Sequence, residues 1–225
     1  MTIDDIHRFI LLCENKTQTS WHTPAEIDDS LHRGQMDVWW KFCPIYGEDE
    51  TAKKALDPFI LKFPITGGNS VAGLISLPAN FGHLLSGTAV SYLNQINPAT
   101  GQPYGTQYWP IEFVNDDEAA LRLQSQIKPV SLARPIAVSA GGGVIQLYPA
   151  QANAGWITYL QIPAPPVYKY TTPDDPRVLV YDNTSTQLLW NDSFVTQIIA
   201  RALIYLGINI DDPAIIQLMS QLSAA

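Results

Sequence analysis

The sequence has 225 residues, of which 46% are hydrophobic and 15% are charged, and its formal net charge is −8. This length and apolar content are enough for one large domain or for a core with an appended module. The 13 basic residues are scattered, which argues against a protein that binds nucleic acid through a basic face. Two cysteines without a nearby ligand cluster exclude a disulfide framework and a zinc site.

No apolar run approaches the roughly 18 residues of a transmembrane helix. The first five residues, Met1–Asp5, are acidic and lack the basic segment of a signal peptide. We therefore expect a chain that is made in the cytoplasm, stays soluble there and does not associate with a membrane.

Two helices are predicted near the N-terminus, one on each side of a third helix that begins at Thr23. Ile3, Ile6 and Ile10 recur at the spacing of one helix face, which predicts a helix over residues 3–14. A shorter helix is predicted over residues 51–56. An amphipathic helix cannot bury its apolar face alone, so these helices need partners elsewhere in the chain.

The best-marked helix start lies at Thr23. Thr23 suits the N-cap position, Pro24 suits the first helical position, and Glu26 completes a capping box. The helix is predicted to continue until Pro44, which cannot extend it.

Strand patterns replace helical ones from about residue 60. The glycine run Gly141–Gly143 supplies a tight hairpin turn between two strands. A helix is predicted over residues 115–127, because Asp116–Glu118 place acidic side chains in its first turn. The predicted strands are 71–77, 107–114, 136–139, 144–148, 156–162 and 178–181.

The helical period returns near the C-terminus. Phe194, Ile198, Ala202 and Leu206 share one face, and Gly207 is suited to end that helix. A last helix is predicted from Asp212, with the apolar side chains Ile215, Ile216, Met219 and Leu222.

These patterns predict an α+β fold in which terminal amphipathic helices form a bundle around an inserted antiparallel β module. The N-terminal helices occupy residues 1–59 and the C-terminal helices, packed on them, residues 186–225. The β module spans residues 60–185 and includes one helix near 116–127.

The sequence contains no catalytic or ligand-binding motif that we recognise. His7, His22, His32 and His83 do not have metal-ligand spacing, and the glycine run joins two strands instead of opening a helix. Carboxylate pairs are adjacent in sequence, so their side chains do not converge on one substrate. We expect no catalytic residue, no metal, no cofactor and no enzymatic activity.

Trp39 and Trp40 are neighbours on a predicted helix, where successive side chains point about 100° apart. Both cannot face one core, and tryptophan is enriched at interfaces. We therefore expect one of them in a contact between subunits. The other candidate interface residues are Ile215, Ile216, Met219 and Leu222.

The order of several short motifs resembles that of tailed-phage adaptor and neck ring proteins. Ile75–Phe81 resembles their LP-x-(D/N)-F strand and turn, and Pro110–Glu118 their P-(I/V)-E-(F/Y) strand that leads into a helix. Arg134–Pro149 resembles a hairpin that ends in Y-P, and Thr158–Pro165 a strand that exits through prolines. Leu188–Ile210 is similar to a C-terminal helix of ring proteins in crAss-like and related Bacteroidetes-infecting phages.

The matches span about residues 75–220, and their order carries more weight than any one of them. At Gln161 this sequence departs from the family, which more often has a basic residue there. The N-terminal helices match only in type.

The resemblance implies a structural virion protein at the head-to-tail junction. Such a subunit attaches beneath the portal protein, forms a closed ring with copies of itself around the DNA channel, and receives the next neck or tail protein. DNA is then passing cargo and not a sequence-specific ligand. Residues 212–225 are the segment expected to dock on the portal.

Three other functions remain open from the sequence. The chain is a tail-completion or stabilisation protein elsewhere in the virion, a glycan-binding β module, or an enzyme of a kind without a recognisable motif. A glycan-binding module predicts a monomer whose tryptophan fluorescence responds to glycans, and an enzyme predicts a deep polar pocket with titratable residues.

Overall fold

A computed structural model describes residues 1–17, 21–66, 70–92, 106–150, 152, 154–172 and 180–208. The chain divides into two compact units. We call Met1–Phe59 together with Pro163–Ala225 the helical unit, and Ile60–Ile162 the β unit. The helices are α1 (Ile3–Thr17), α2 (Pro24–Phe42), α3 (Glu50–Leu56), α4 (Asp116–Gln124) and α5 (Asp192–Tyr205). The strands are β1 (Ile60–Ile65), β2 (Ser70–Val71), β3 (Leu74–Ser76), β4 (Phe81–Tyr92), β5 (Thr106–Pro110), β6 (Glu112–Phe113), β7 (Ile136–Gly141), β8 (Val144–Tyr148), β9 (Gly155–Gln161), β10 (Tyr170–Thr171) and β11 (Val180–Tyr181).

In the helical unit, α2 and α5 pack against each other through apolar faces. Leu31 and Val38 of α2 are fully buried, as are Ile198 and Leu203 of α5. Gly34 allows the two backbones to approach closely, because a Cβ atom at this position would lie 2.8 Å from the carbonyl oxygen of Ile198.

The ends of two helices follow directly from local sequence. The Thr23 hydroxyl accepts from the Glu26 N–H at 3.3 Å, and the Glu26 carboxylate accepts from the Thr23 N–H at 2.7 Å. These two bonds form the predicted capping box of α2. Gly207 adopts a left-handed φ of 74° directly after α5, so it ends that helix as predicted.

The β unit contains a four-stranded sheet of order β1-β9-β4-β5 and a five-stranded sheet of order β2-β3-β8-β7-β6. Both sheets contribute buried side chains to one core. Ile65 and Ile157 come from the four-stranded sheet, and Ile75, Ile145 and Leu147 come from the five-stranded sheet. Alternation along each strand therefore leaves one face of the four-stranded sheet outside this core.

The predicted α+β class is confirmed, and α1, α2, α4 and α5 lie within about three residues of their predicted limits. The hairpin of β7 and β8 around Gly141–Gly143 is also confirmed. Among the strands that the structure describes, all pairs but one are antiparallel; β6 and β7 pair in parallel, with α4 between them in the chain.

Two strands of the four-stranded sheet were not predicted. β1 contains Pro64, which argues against a central strand, and β1 lies at a sheet edge where proline is tolerated. β4 has no clean alternation, because its register against β9 shifts between Phe81 and His83 and again between Leu84 and Ser86. A bulge changes which side chains face the core and so hides the strand period.

The β unit begins at Ile60 and ends at Ile162, whereas the predicted module extended to residue 185. The later segment belongs to the helical unit: the Tyr168 N–H donates to Asp28 of α2, and the Tyr168 hydroxyl donates to Asp4 of α1. The predicted C-terminal helix, which carries Ile215, Ile216, Met219 and Leu222, lies outside the described residues.

Candidate functional site

A cluster of polar side chains lies within the helical unit, where α1, α2 and the segment before β10 meet. His7 is 3% exposed, and its Nε2 lies 2.9 Å from Oδ1 of Asp28. The other oxygen of Asp28 accepts from the Tyr168 N–H at 2.9 Å. The Tyr168 ring stacks on His7 with centroids 4.3 Å apart, and its hydroxyl donates to Asp4 at 3.0 Å. We call Asp4, His7, Asp28 and Tyr168 the His7 cluster.

Burial and the hydrogen bond to Asp4 raise the pKa of Tyr168 to about 12. The phenol therefore stays protonated at neutral pH and remains a hydrogen-bond donor. Each member of the His7 cluster bonds or stacks across elements, so the cluster fixes α1 and α2 relative to Tyr168.

A second histidine–carboxylate pair lies nearby. Nδ1 of His22 is 2.7 Å from Oε1 of Glu14, whose side chain is almost completely buried. His22 and the His7 cluster border a cavity of about 170 Å³. The cavity is lined by Asp4, His7, Arg8, Leu11, Trp21, His22, Pro24, Ile27 and Tyr168.

The arrangement supplies oriented imidazole groups but little else that catalysis requires. A carboxylate fixes the tautomer and orientation of a histidine in many active sites. The described lining contains no serine, threonine, cysteine or lysine that such a histidine would activate.

The described part of the chain was also searched for clusters of metal ligands and for reactive thiols. No group of three or more histidine, cysteine or acidic side chains in it is arranged to hold a metal ion. Cys13 and Cys43 are both buried. Burial raises the pKa of the Cys13 thiol to about 11 and also raises that of Cys43. Both cysteines are therefore mainly thiols, not reactive thiolates, at neutral pH.

The adjacent tryptophans of α2 have opposite environments. Trp39 is fully buried, so its side chain has no surface exposed to a partner in this structure. Trp40 is 59% exposed and makes an edge contact with the Trp39 ring, 4.7 Å between centroids. Of the two, Trp40 is the one available to a partner. The remaining candidate interface residues lie outside the described residues.

A further exposed apolar segment was not predicted. It follows and includes the end of α4 in the β unit, where Leu121 is 71% exposed and Ile127 is 90% exposed. Leu123 and Leu132 are also exposed. We call residues 121–132 the α4 segment. α4 does pack on the β unit through Ala119, which is buried against Ile136 and Val138. The sequence period does not show that Leu121 and Leu123 lie outside this contact and stay exposed.

The carboxylate partners of His7 and His22 were not predicted from the sequence. His7 lies four residues after Ile3 and three before Ile10, on the buried face of α1. That position is the available signal for burial. Its partner Asp28, however, belongs to another helix, and no local pattern pairs the two.

No helix among the described residues is long and apolar enough to cross a bilayer. No protein-family model matches the chain, and no curated protein matches it significantly.

Proposed function

We propose that this chain is a structural subunit of a tailed-phage virion that forms a ring at the head-to-tail junction. Its partners are the portal protein, neighbouring copies of itself, and the next neck or tail protein. The proposal rests on the order of the motifs between residues 75 and 220 and on the exposed apolar surfaces of the chain.

The observation that carries the proposal is that each unit exposes its own large apolar side chains. Trp40 is exposed on the helical unit, and Leu121 and Ile127 are exposed on the β unit. A ring needs heterologous interfaces, in which one surface of a subunit meets a different surface of its neighbour. Two non-equivalent apolar surfaces on one chain fit that requirement, because burial of such side chains drives association.

The charge distribution also supports the proposal. The helical unit contains 17 acidic and nine basic residues, so it holds the whole net charge of −8, and the β unit has four of each. An acidic surface repels phosphates and does not retain DNA. Such a surface suits a channel through which DNA passes.

Electron microscopy of the full chain, co-expressed with the portal protein of the same genome, tests the proposal. We expect a ring that is stacked coaxially on the portal. If the portal stays bare and the chain stays monomeric, the portal-proximal role is wrong. A tail-completion role is then tested by the same imaging with the tail proteins.

Ile127→Glu tests the interface in the same experiment. We expect fewer assembled rings, because a charge replaces an exposed apolar side chain in the proposed contact. Gln126→Glu is the matched control, since it introduces the same charge at a neighbouring exposed position. If both variants form rings in the wild-type yield, the α4 segment is excluded from the interface.

A further inference from the structure

The four-stranded sheet has an outer face that the β-unit core does not use. Ile65, Ala89 and Ile157 point into the core, so their strand neighbours Pro64, Thr88 and Trp156 lie on the other side. These residues are joined by the register: Pro64 pairs with Trp156, Trp156 with Thr88, and Thr88 with Pro110. The outer face is defined by Pro64, Thr88, Tyr108, Pro110, Trp156 and Thr158.

Two aromatic rings meet on the outer face. Tyr108 is 60% exposed, Trp156 is half-buried, and their ring centroids are 5.6 Å apart. The two ring planes are tilted by 50° relative to each other, so both rings contribute to the surface of this face. The Nζ of Lys62 lies 5.9 Å from the Trp156 centroid, at the same surface.

The outer face is nearly free of charge. Lys62 is the only lysine, arginine, aspartate or glutamate in the sequences of β1, β4, β5 and β9. Residues 63–111 and 135–162 contain none. Beside the aromatic rings, this face presents the hydroxyl groups of Thr88 and Thr158 and the two prolines of the Pro64–Pro110 row.

We propose that the outer face binds a neutral glycan. A pyranose ring has an apolar C–H face, which packs on aromatic and proline rings, and an edge of hydroxyl groups, which exchange hydrogen bonds with threonine hydroxyls and a lysine ammonium group. A phosphate-rich or anionic ligand requires more cations than Lys62 alone. A cationic ligand would be repelled by Lys62, which already lies beside the Trp156 ring, and the sequences of these strands contain no carboxylate to offset that repulsion. An uncharged, polyhydroxylated ligand is the class that matches this surface.

This binding function goes beyond the proposed ring and does not depend on it. Ring assembly is read from microscopy, whereas glycan binding is read from the chain by itself. If the chain forms no ring, glycan binding is still tested by its own experiment, and a chain that binds no glycan can still form the ring.

Affinity electrophoresis tests the proposal with the full chain in native gels that contain dextran, mannan, galactomannan or mixed-linkage β-glucan. We expect at least one of these neutral polysaccharides to retard the chain, and heparin to cause no retardation. Tyr108→Ala should weaken the retardation about tenfold or more, because aromatic residues at the centre of a contact dominate its affinity. The high exposure of Tyr108 means that its removal costs little stability.

Trp156→Ala should give the same loss, with circular dichroism as the check on folding. Tyr205→Ala is the matched control for Tyr108→Ala, because Tyr205 is an exposed tyrosine in the other unit, and we expect the retardation of this variant to equal that of the wild type. The proposal is overturned if none of the four polysaccharides retards the chain. It is equally overturned if Tyr108→Ala leaves retardation unchanged or abolishes self-association instead.

Discussion

The two units of this chain maintain their structures by different means. The helical unit holds the whole net charge and connects its elements through the apolar α2–α5 contact and through polar pairs such as His7–Asp28. The β unit has no net charge and connects its elements through backbone ladders and apolar clusters. The hydrogen bonds of a β ladder join main-chain groups, so they do not require a particular side chain on the outer face of the sheet. The outer face can therefore lack charged side chains without loss of strand pairing. The contrast indicates that stability in the helical unit depends on specific side chains, whereas the β unit can devote surface side chains to binding.

The largest expected effect concerns the buried apolar core of the helical unit. Trp39→Ala should lower the free energy of unfolding by about 3–5 kcal/mol, because it leaves a cavity where a fully buried indole was. Trp40→Ala, one residue later but exposed, should change it by no more than about 0.5 kcal/mol. Urea unfolding of both variants measures the difference. Similar losses for the two would show that Trp40 is also buried in solution.

A smaller effect is expected when the polar connection is broken. Asp28→Ala removes the acceptor of both the His7 ring and the Tyr168 N–H, which should cost about 2–4 kcal/mol. Asp29→Ala is the matched control, because Asp29 is exposed and its ion pair with Arg33 is also exposed; this variant should cost about 0.5 kcal/mol or less. Hydrogen exchange should show the loss of protection in the helical unit. Equal loss in β4 and β9 would show that the units unfold together and would weaken the comparison.

The smallest expected effect is a dependence on pH. Hydrogen bonds from Thr2 lower the pKa of Asp5, bonds from Thr23 lower that of Glu26, and bonds from Thr184 lower that of Asp182. Because the folded pKa values are depressed, this stability is present above the ordinary carboxyl pKa near 4 and is lost as pH falls through the lowered values.

All three carboxyls belong to the helical unit, so acid should reduce protection there first. Glu26→Gln should make the hydrogen-exchange protection at the start of α2 depend less on pH. Protection factors from hydrogen exchange, measured between pH 6 and about pH 3, provide the test. Earlier loss in the β unit would contradict the comparison. The range from pH 6 to about pH 3 is chosen because it brackets the ordinary carboxyl pKa near 4.

Local features of the fold were accessible from the sequence. The Thr23–Glu26 capping box and the stop at Gly207 involve residues within a few positions of one another, so the pattern is complete in one short window. Helix geometry predicts that the side chains of Trp39 and Trp40 have different surroundings. The sequence pattern does not show which of the two is buried.

Features that depend on distant residues were not accessible. The contact of Tyr168 with Asp28 joins positions 140 residues apart, and no sequence period encodes it. β4 was missed because two register shifts interrupt its alternation. The outer face was missed because Tyr108 and Trp156 meet only through the pairing of β5, β4 and β9. The tryptophans seem scattered along the sequence until the strands are placed side by side.

The pairing of Ile60 with Leu160 has a consequence for how such chains diversify. The polypeptide leaves the helical unit and returns to it on neighbouring antiparallel strands, about 5 Å apart. Insertions whose two ends are adjacent are tolerated, because the host fold needs no rethreading to accept or lose them. The β unit meets this condition, because the chain enters and leaves it on paired strands. A change in the length of its internal connections therefore needs no rethreading of the helical unit.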